Sequence, residues 1–142
     1  MMKKFLLAFL LVIFSIHSYA QYTFSVDTIL NNGPKANRIN LVFLGDGYTA
    51  AQQTQFITDV NTVMTRFFQT SPFDKYKPFF NVYAVKVISA ESGAKHPNTA
   101  ADCANTFPSV PALTANTFFG ATFDYGGIHI LLYTPNSTAI NG

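Results

Sequence analysis

The sequence predicts an α/β fold, a parallel-rich sheet with a long covering helix. Three observations predict it: an almost continuous apolar run over residues 39–44, an apolar period of three and four between Thr49 and Gln69, and a stretch rich in β-branched and aromatic residues over 79–88. Strand, helix and strand with short connections make a βαβ unit. Its crossover is right-handed in nearly all cases, and its strands are therefore parallel.

The elements follow in order. Residues 1–20 read as an export signal, with Lys3 and Lys4, an apolar run over 5–16 broken only by Ser15, and small residues at Ser18 and Ala20. As a helix that run rises about 18 Å, short of the roughly 30 Å hydrocarbon core, so it is too short to anchor the chain. Cleavage is expected after Ala20, giving a secreted or periplasmic product with no membrane attachment. Residues 21–37 read as a leader segment with one short strand around 22–26, and the domain begins at Arg38. Ile39, Leu41, Val42, Phe43 and Leu44 then form a strand apolar on both faces, ended by Gly45-Asp46-Gly47.

The helix is the clearest element. Phe56, Ile57, Val60, Val63, Met64, Phe67 and Phe68 fall on one side, with Gln55, Thr58, Asp59, Thr62 and Arg66 opposite. Thr49 and Gln52 have the spacing of a capping box, and Ser71-Pro72 stops the helix. The Met and Phe stripe suits a core face better than a cofactor site. In the next strand Val82, Ala84, Lys86 and Ile88 face one way and Tyr83, Val85 and Val87 the other. Residues 89–117 contain Gly93, Pro97, Pro108 and Pro111 without any period, and an irregular stretch of that length is more often functional than idle. Residues 128–133 read as a third strand. The sequence stops at Gly142 before anything covers the other side of the sheet, which suggests truncation.

Composition narrows the function classes. Loss of Lys3 and Lys4 leaves seven basic and seven acidic residues, a net charge of zero, and no segment carries a Lys and Arg stripe. Nucleic acid is therefore excluded as a partner. A hydrophobic share of 49% with 11% charged residues argues against a disordered chain. Cys103 is the lone cysteine, either a buried small apolar side chain or half of a disulfide whose partner lies past Gly142.

Several residue groups suggest chemistry, and each has a plainer explanation. Gly45-Asp46-Gly47-Tyr48-Thr49-Ala50 matches G-x-G-x-x-A between strand and helix, but no acid sits about 20 residues on, beyond Asp59 in mid-helix. A tight turn with Asp46 accepting amide bonds near the helix start explains it better. Leu44-Gly45-Asp46-Gly47 is also similar to the first block of Gly-Asp-Ser hydrolases, except that Gly47 stands where the serine nucleophile would be. His96 and His129 lie in a polar loop and a predicted strand, with no H-E-x-x-H, no H-x-x-x-H and no cysteine pair, so spacing favours no metal site between them. Glu91 suits a general base or the cap of a turn, and the sequence does not choose. No residue is thus assigned as catalytic, cofactor-binding or metal-ligating.

Three blocks together resemble one family: the run from Asn37-Arg38-Ile39 to Gly47-Tyr48-Thr49, then Ser71-Pro72-Phe73 leading into Phe80-Asn81-Val82-Tyr83-Ala84-Val85, then Ser89-Ala90-Glu91-Ser92-Gly93-Ala94-Lys95-His96-Pro97. Thr117-Phe118-Phe119-Gly120 and Gly127-Ile128 fit the same pattern. They resemble the IgA-peptidase family of secreted bacterial zinc metallopeptidases, metallopeptidase family sixty-four. The resemblance implies that residues 38–142 are the N-terminal part of a metallopeptidase catalytic domain whose substrate is a protein or peptide. It implies zinc in the full-length parent, held by an H-E-x-x-H helix that these residues lack, so the chain alone is expected to bind no zinc and to be inactive. The rival expectation is a complete secreted binding or adhesion module that recognises glycan or protein.

Overall fold

A computed structural model of the chain describes residues 23–97, 113–129 and 131–136. The signal segment, the Ala20 cleavage point and Cys103 lie outside the described residues. Strands β1 (Ser25–Leu30), β2 (Ile39–Leu44) and β3 (Phe80–Lys86) form one sheet in the order β1-β3-β2. Helix α1 (Gln53–Phe67) connects β2 to β3, and a short helix α2 (Phe73–Tyr76) follows it. β2 and β3 are parallel from Ile39↔Phe80 to Leu44↔Val85, as the βαβ argument requires. β1 and β3 are antiparallel, starting at Ser25↔Lys86, with a register shift between Thr28 and Leu30. The sheet among the described residues is therefore mixed and not parallel-rich. The difference comes from the segment read as a leader: its strand lies at 25–30, further along than 22–26, and occupies the second edge of β3.

α1 starts through a 3-10 turn, Ala50–Gln52, on which Thr49 and Gln52 make the expected capping box, the Thr49 amide donating to Gln52 Oε1 at 3.1 Å. It ends at Phe67, four residues before Ser71, where the chain tightens with Gln69 N donating to Arg66 O and Thr70 N to Phe67 O. Phe56, Val60 and Met64 are buried against Val82 and Ala84 of β3, and Leu41, Phe43, Ile57, Phe67 and Phe68 pack around them. Val63, expected in this stripe, is 51% exposed. It sits at the margin of a row that advances by four residues, 56, 60 and 64, so the face against the sheet is narrower than its apolar composition.

The opposite face of the sheet is open among the described residues. Val26, Val85 and Leu44 make one cross-strand row there, and Val26 and Leu44 are exposed, as is Val42 in the next row. β2 was expected to be covered on both faces, but α1 covers only one. At the start of β3 the fully buried Asn81 accepts from Asn32 N (2.8 Å) and donates to Gly33 O (2.9 Å) and Asn40 Oδ1 (3.2 Å), fixing the turn before β2.

Residues 128–133 do not form the third strand among the described residues. Asp124, Gly126 and Gly127 have φ of 62°, 64° and 78°, so the chain coils through a 3-10 turn at Tyr125–Gly127. Among the described residues of this stretch, Tyr133 alone makes a bridge, antiparallel to Thr122.

Candidate functional site

The carboxyl ends of parallel strands are where open α/β sheets place ligand sites, and both groupings described here are built outward from the ends of β2 and β3. The first centres on Asp46, immediately after β2. Its Oδ1 accepts from Phe119 N (3.0 Å) and Ser89 Oγ (3.2 Å), and its Oδ2 from Thr117 Oγ1 (2.8 Å) and Ala121 N (3.0 Å). The expectation that Asp46 accepts amide bonds near the helix start gives way to acceptance from a segment more than seventy residues away. Ser89 Oγ in turn accepts from Gly47 N and Phe118 N. Gly47 has φ 75° and approaches the other chain so closely that a Cβ there would lie 2.2 Å from Gly93 O, which explains glycine at that position without any nucleophile. Glu91 bridges two segments: its Oε2 accepts from Asn116 N at 2.6 Å and its amide donates to Asn116 O. Asp59, the acid that follows the G-x-G-x-x-A turn, accepts the Tyr48 hydroxyl at 2.9 Å.

The second grouping is His96, Asp124 and His129. Backbone pairing sets it up. His96 exchanges both amide bonds with Leu113, while next to it Lys95 N donates to Ala121 O and Lys95 O accepts from Phe123 N. That ladder lays residue 96 beside residue 124, and the turn over Tyr125–Gly127 swings His129 back onto them. Aspartate is among the few non-glycine types that enter the left-handed region readily, which suits Asp124 to this corner. His96 Nε2 is 3.2 Å from His129 Nδ1 and 3.3 Å from Asp124 Oδ1, and His129 Nδ1 is 3.0 Å from the same oxygen. The Asp124 side chain is fully buried, His96 is 4% exposed, and its ring meets that of Phe123 at nearly a right angle.

These three residues could hold a metal ion. The separation of His96 and His129 expected from a loop and a strand does not hold, since a turn replaces the strand. Sequence reading misses Asp124 altogether. The signal available was Asp124-Tyr125-Gly126-Gly127, a strong turn pattern immediately before His129.

A small mixed sheet, a helix crossing between parallel strands and loops gathered at the strand ends define an α/β domain. The chain matches the family model for IgA peptidase M64 over residues 28–141 and belongs to that family. The match begins inside β1, so the strand read as leader is partly within the family's domain. No curated protein matches the chain. The family is one of metallopeptidases, and α1, the long helix among the described residues, contains no histidine.

Proposed function

We propose that this chain is the N-terminal segment of an exported, zinc-dependent endopeptidase, acting on protein or peptide substrates in a secreted or periplasmic setting. The observation that carries the reading is the family match over most of the sequence. Zinc in such enzymes lowers the pKa of bound water and polarises the scissile carbonyl. The 142 residues contain no H-E-x-x-H, so in this reading that chemistry is assigned to a longer reading frame, which the test below examines. The present residues contribute scaffold: β2, β3 and α1 form the frame, and the Asp46 node holds the loops at the strand ends against each other. The exposed Val26, Val42 and Leu44 give the sheet an apolar face for further chain to cover.

The test is to express the complete natural reading frame and assay chelator-sensitive cleavage of a denatured protein substrate, with N-terminal sequencing of the exported product. Chelator-sensitive cleavage together with an N-terminus at Gln21 supports the reading. A frame that closes without an H-E-x-x-H, or a protein that binds glycan and cleaves nothing, overturns it in favour of an adhesion module.

A further inference from the structure

We propose that His96 Nε2, His129 Nδ1 and Asp124 Oδ1 bind one zinc ion, which ties the loop ending at Pro97 to the turn at 124–129. The proposal replaces the expectation, drawn from the missing H-E-x-x-H and from the histidine spacing, that this chain binds no zinc. It goes beyond the peptidase reading and stands on three observations.

The first is a count of protons. The three atoms lie 3.0, 3.2 and 3.3 Å from one another, so each pair is at hydrogen-bond distance. The two nitrogens carry at most one proton each, and an N–H points one way. At most two of the three contacts are therefore hydrogen bonds. The third sets two N–H groups or two lone pairs against each other. A cation accepts a lone pair from all three atoms at once and removes that conflict.

The second is shape. Tetrahedral zinc with bonds of about 2.0–2.1 Å to nitrogen and oxygen has ligand atoms about 3.3–3.4 Å apart. The observed triangle is one face of such a tetrahedron with slightly short edges. An ion about 1 Å off its plane lies at zinc bonding distance from each atom. The third is charge and ligand type. A carboxylate with no solvent exposure needs positive charge near it. Two imidazoles and one carboxylate suit a borderline ion such as zinc, whereas calcium and magnesium take shells of six or more oxygens, several of them water for magnesium. The His129 side chain is 20% exposed, which gives the ion and a water in the fourth position their access. His96 Nδ1 is buried without a hydrogen-bond partner, so this ligand lacks the outer acceptor that usually fixes a metal-bound histidine. The affinity is accordingly expected to fall below that of four-ligand structural zinc sites.

The experiment uses the untagged chain, dialysed against metal-free buffer after loading with zinc. Elemental analysis should find one zinc per chain, and cobalt(II) in its place should give the visible absorption of a tetrahedral ion. His129→Ala and Asp124→Asn should each weaken zinc binding about 100-fold or more, beyond what loss of an outer-shell partner costs. The exposed Asp74→Asn should leave binding unchanged. Should a site variant lose its fold, the imidazole nitrogen shifts of His96 and His129 in the unaltered chain decide, because both must move on adding zinc. Absence of zinc and of a tetrahedral cobalt spectrum overturns the proposal. So does full retention of zinc by His129→Ala, or imidazole shifts that zinc leaves in place.

Discussion

Asp46 and Asp124 both join segments distant in sequence, yet their surroundings differ in kind. Around Asp46 every partner brings its own proton: two backbone amides and two hydroxyls fill the four acceptor sites of the carboxylate. That carboxylate is complete as it stands. Around Asp124 two of the partners are imidazoles that also meet each other, and their protons do not satisfy all three contacts of that triangle. A saturated carboxylate is a structural fastener, whereas one flanked by two imidazoles is the arrangement on which the zinc proposal rests.

The largest expected effect breaks or keeps that contrast directly. Asp46→Ala strands four donors that now share one carboxylate, and should lower unfolding stability by about 3–5 kcal/mol, the range for loss of a hydrogen-bond network. Its deficit should be the same in zinc and in chelator. Asp124→Asn should instead abolish whatever stabilisation zinc confers, leaving a protein whose urea midpoint no longer responds to chelator. Identical responses of the two variants to chelator would erase the distinction.

A second comparison separates both loop regions from the core between helix and sheet. Phe56 is 3% exposed and Val63 51%. Phe56→Ala should cost about 3–4 kcal/mol through lost burial and a residual cavity, in zinc and chelator alike. Val63→Ala should stay within about 0.5 kcal/mol. A large loss at Val63 would mean that further chain covers that side of α1. At the helix start, Thr49→Ala removes the capping box and should cost about 1–1.5 kcal/mol by urea unfolding, with Thr49→Ser restoring most of it.

What the sequence revealed follows the range of the interactions involved. The βαβ unit, the capping box and the buried residues of α1 were legible because periodicity and capping are local signals. The antiparallel β1 was misplaced because Ser25–Leu30 pairs with Lys86 and its neighbours, some sixty residues on, and nothing local announces that. The third strand failed for the opposite reason. Its apolar residues fit a strand, but the left-handed residues just before it bend the chain first. His96 and His129 were visible as residue types, while their contact depends on Lys95 pairing with residues 121 and 123 and on a turn that no ligand spacing encodes. Asp46 could be read as an acceptor but not assigned its donors.

Smaller than the loss of the capping box is the effect expected at Tyr48, which lies between the Asp46 turn and α1. Its hydroxyl donates to Asp59 Oδ2 at 2.9 Å, and its ring packs against Phe56 with centroids 5.1 Å apart. Burial pushes its pKa above the ordinary value of 10.0, and the hydrogen bond to Asp59 and that residue's negative charge push in the same direction. A raised folded-state pKa means that the folded protein resists forming the phenolate. Tyr48 therefore contributes its full stabilisation below the unfolded value near pH 10, and loses it as pH rises from there through the folded value. Tyr48→Phe keeps the ring and removes the titration, so it should cost about 0.5–1 kcal/mol at neutral pH. The variant should also show a shallower alkaline decline. Parallel stability curves for variant and parent above pH 10 would show that the ring alone holds this turn. A shallower curve for the variant would make the link between Tyr48 and Asp59 a second proton-complete carboxylate contact, on the side of Asp46.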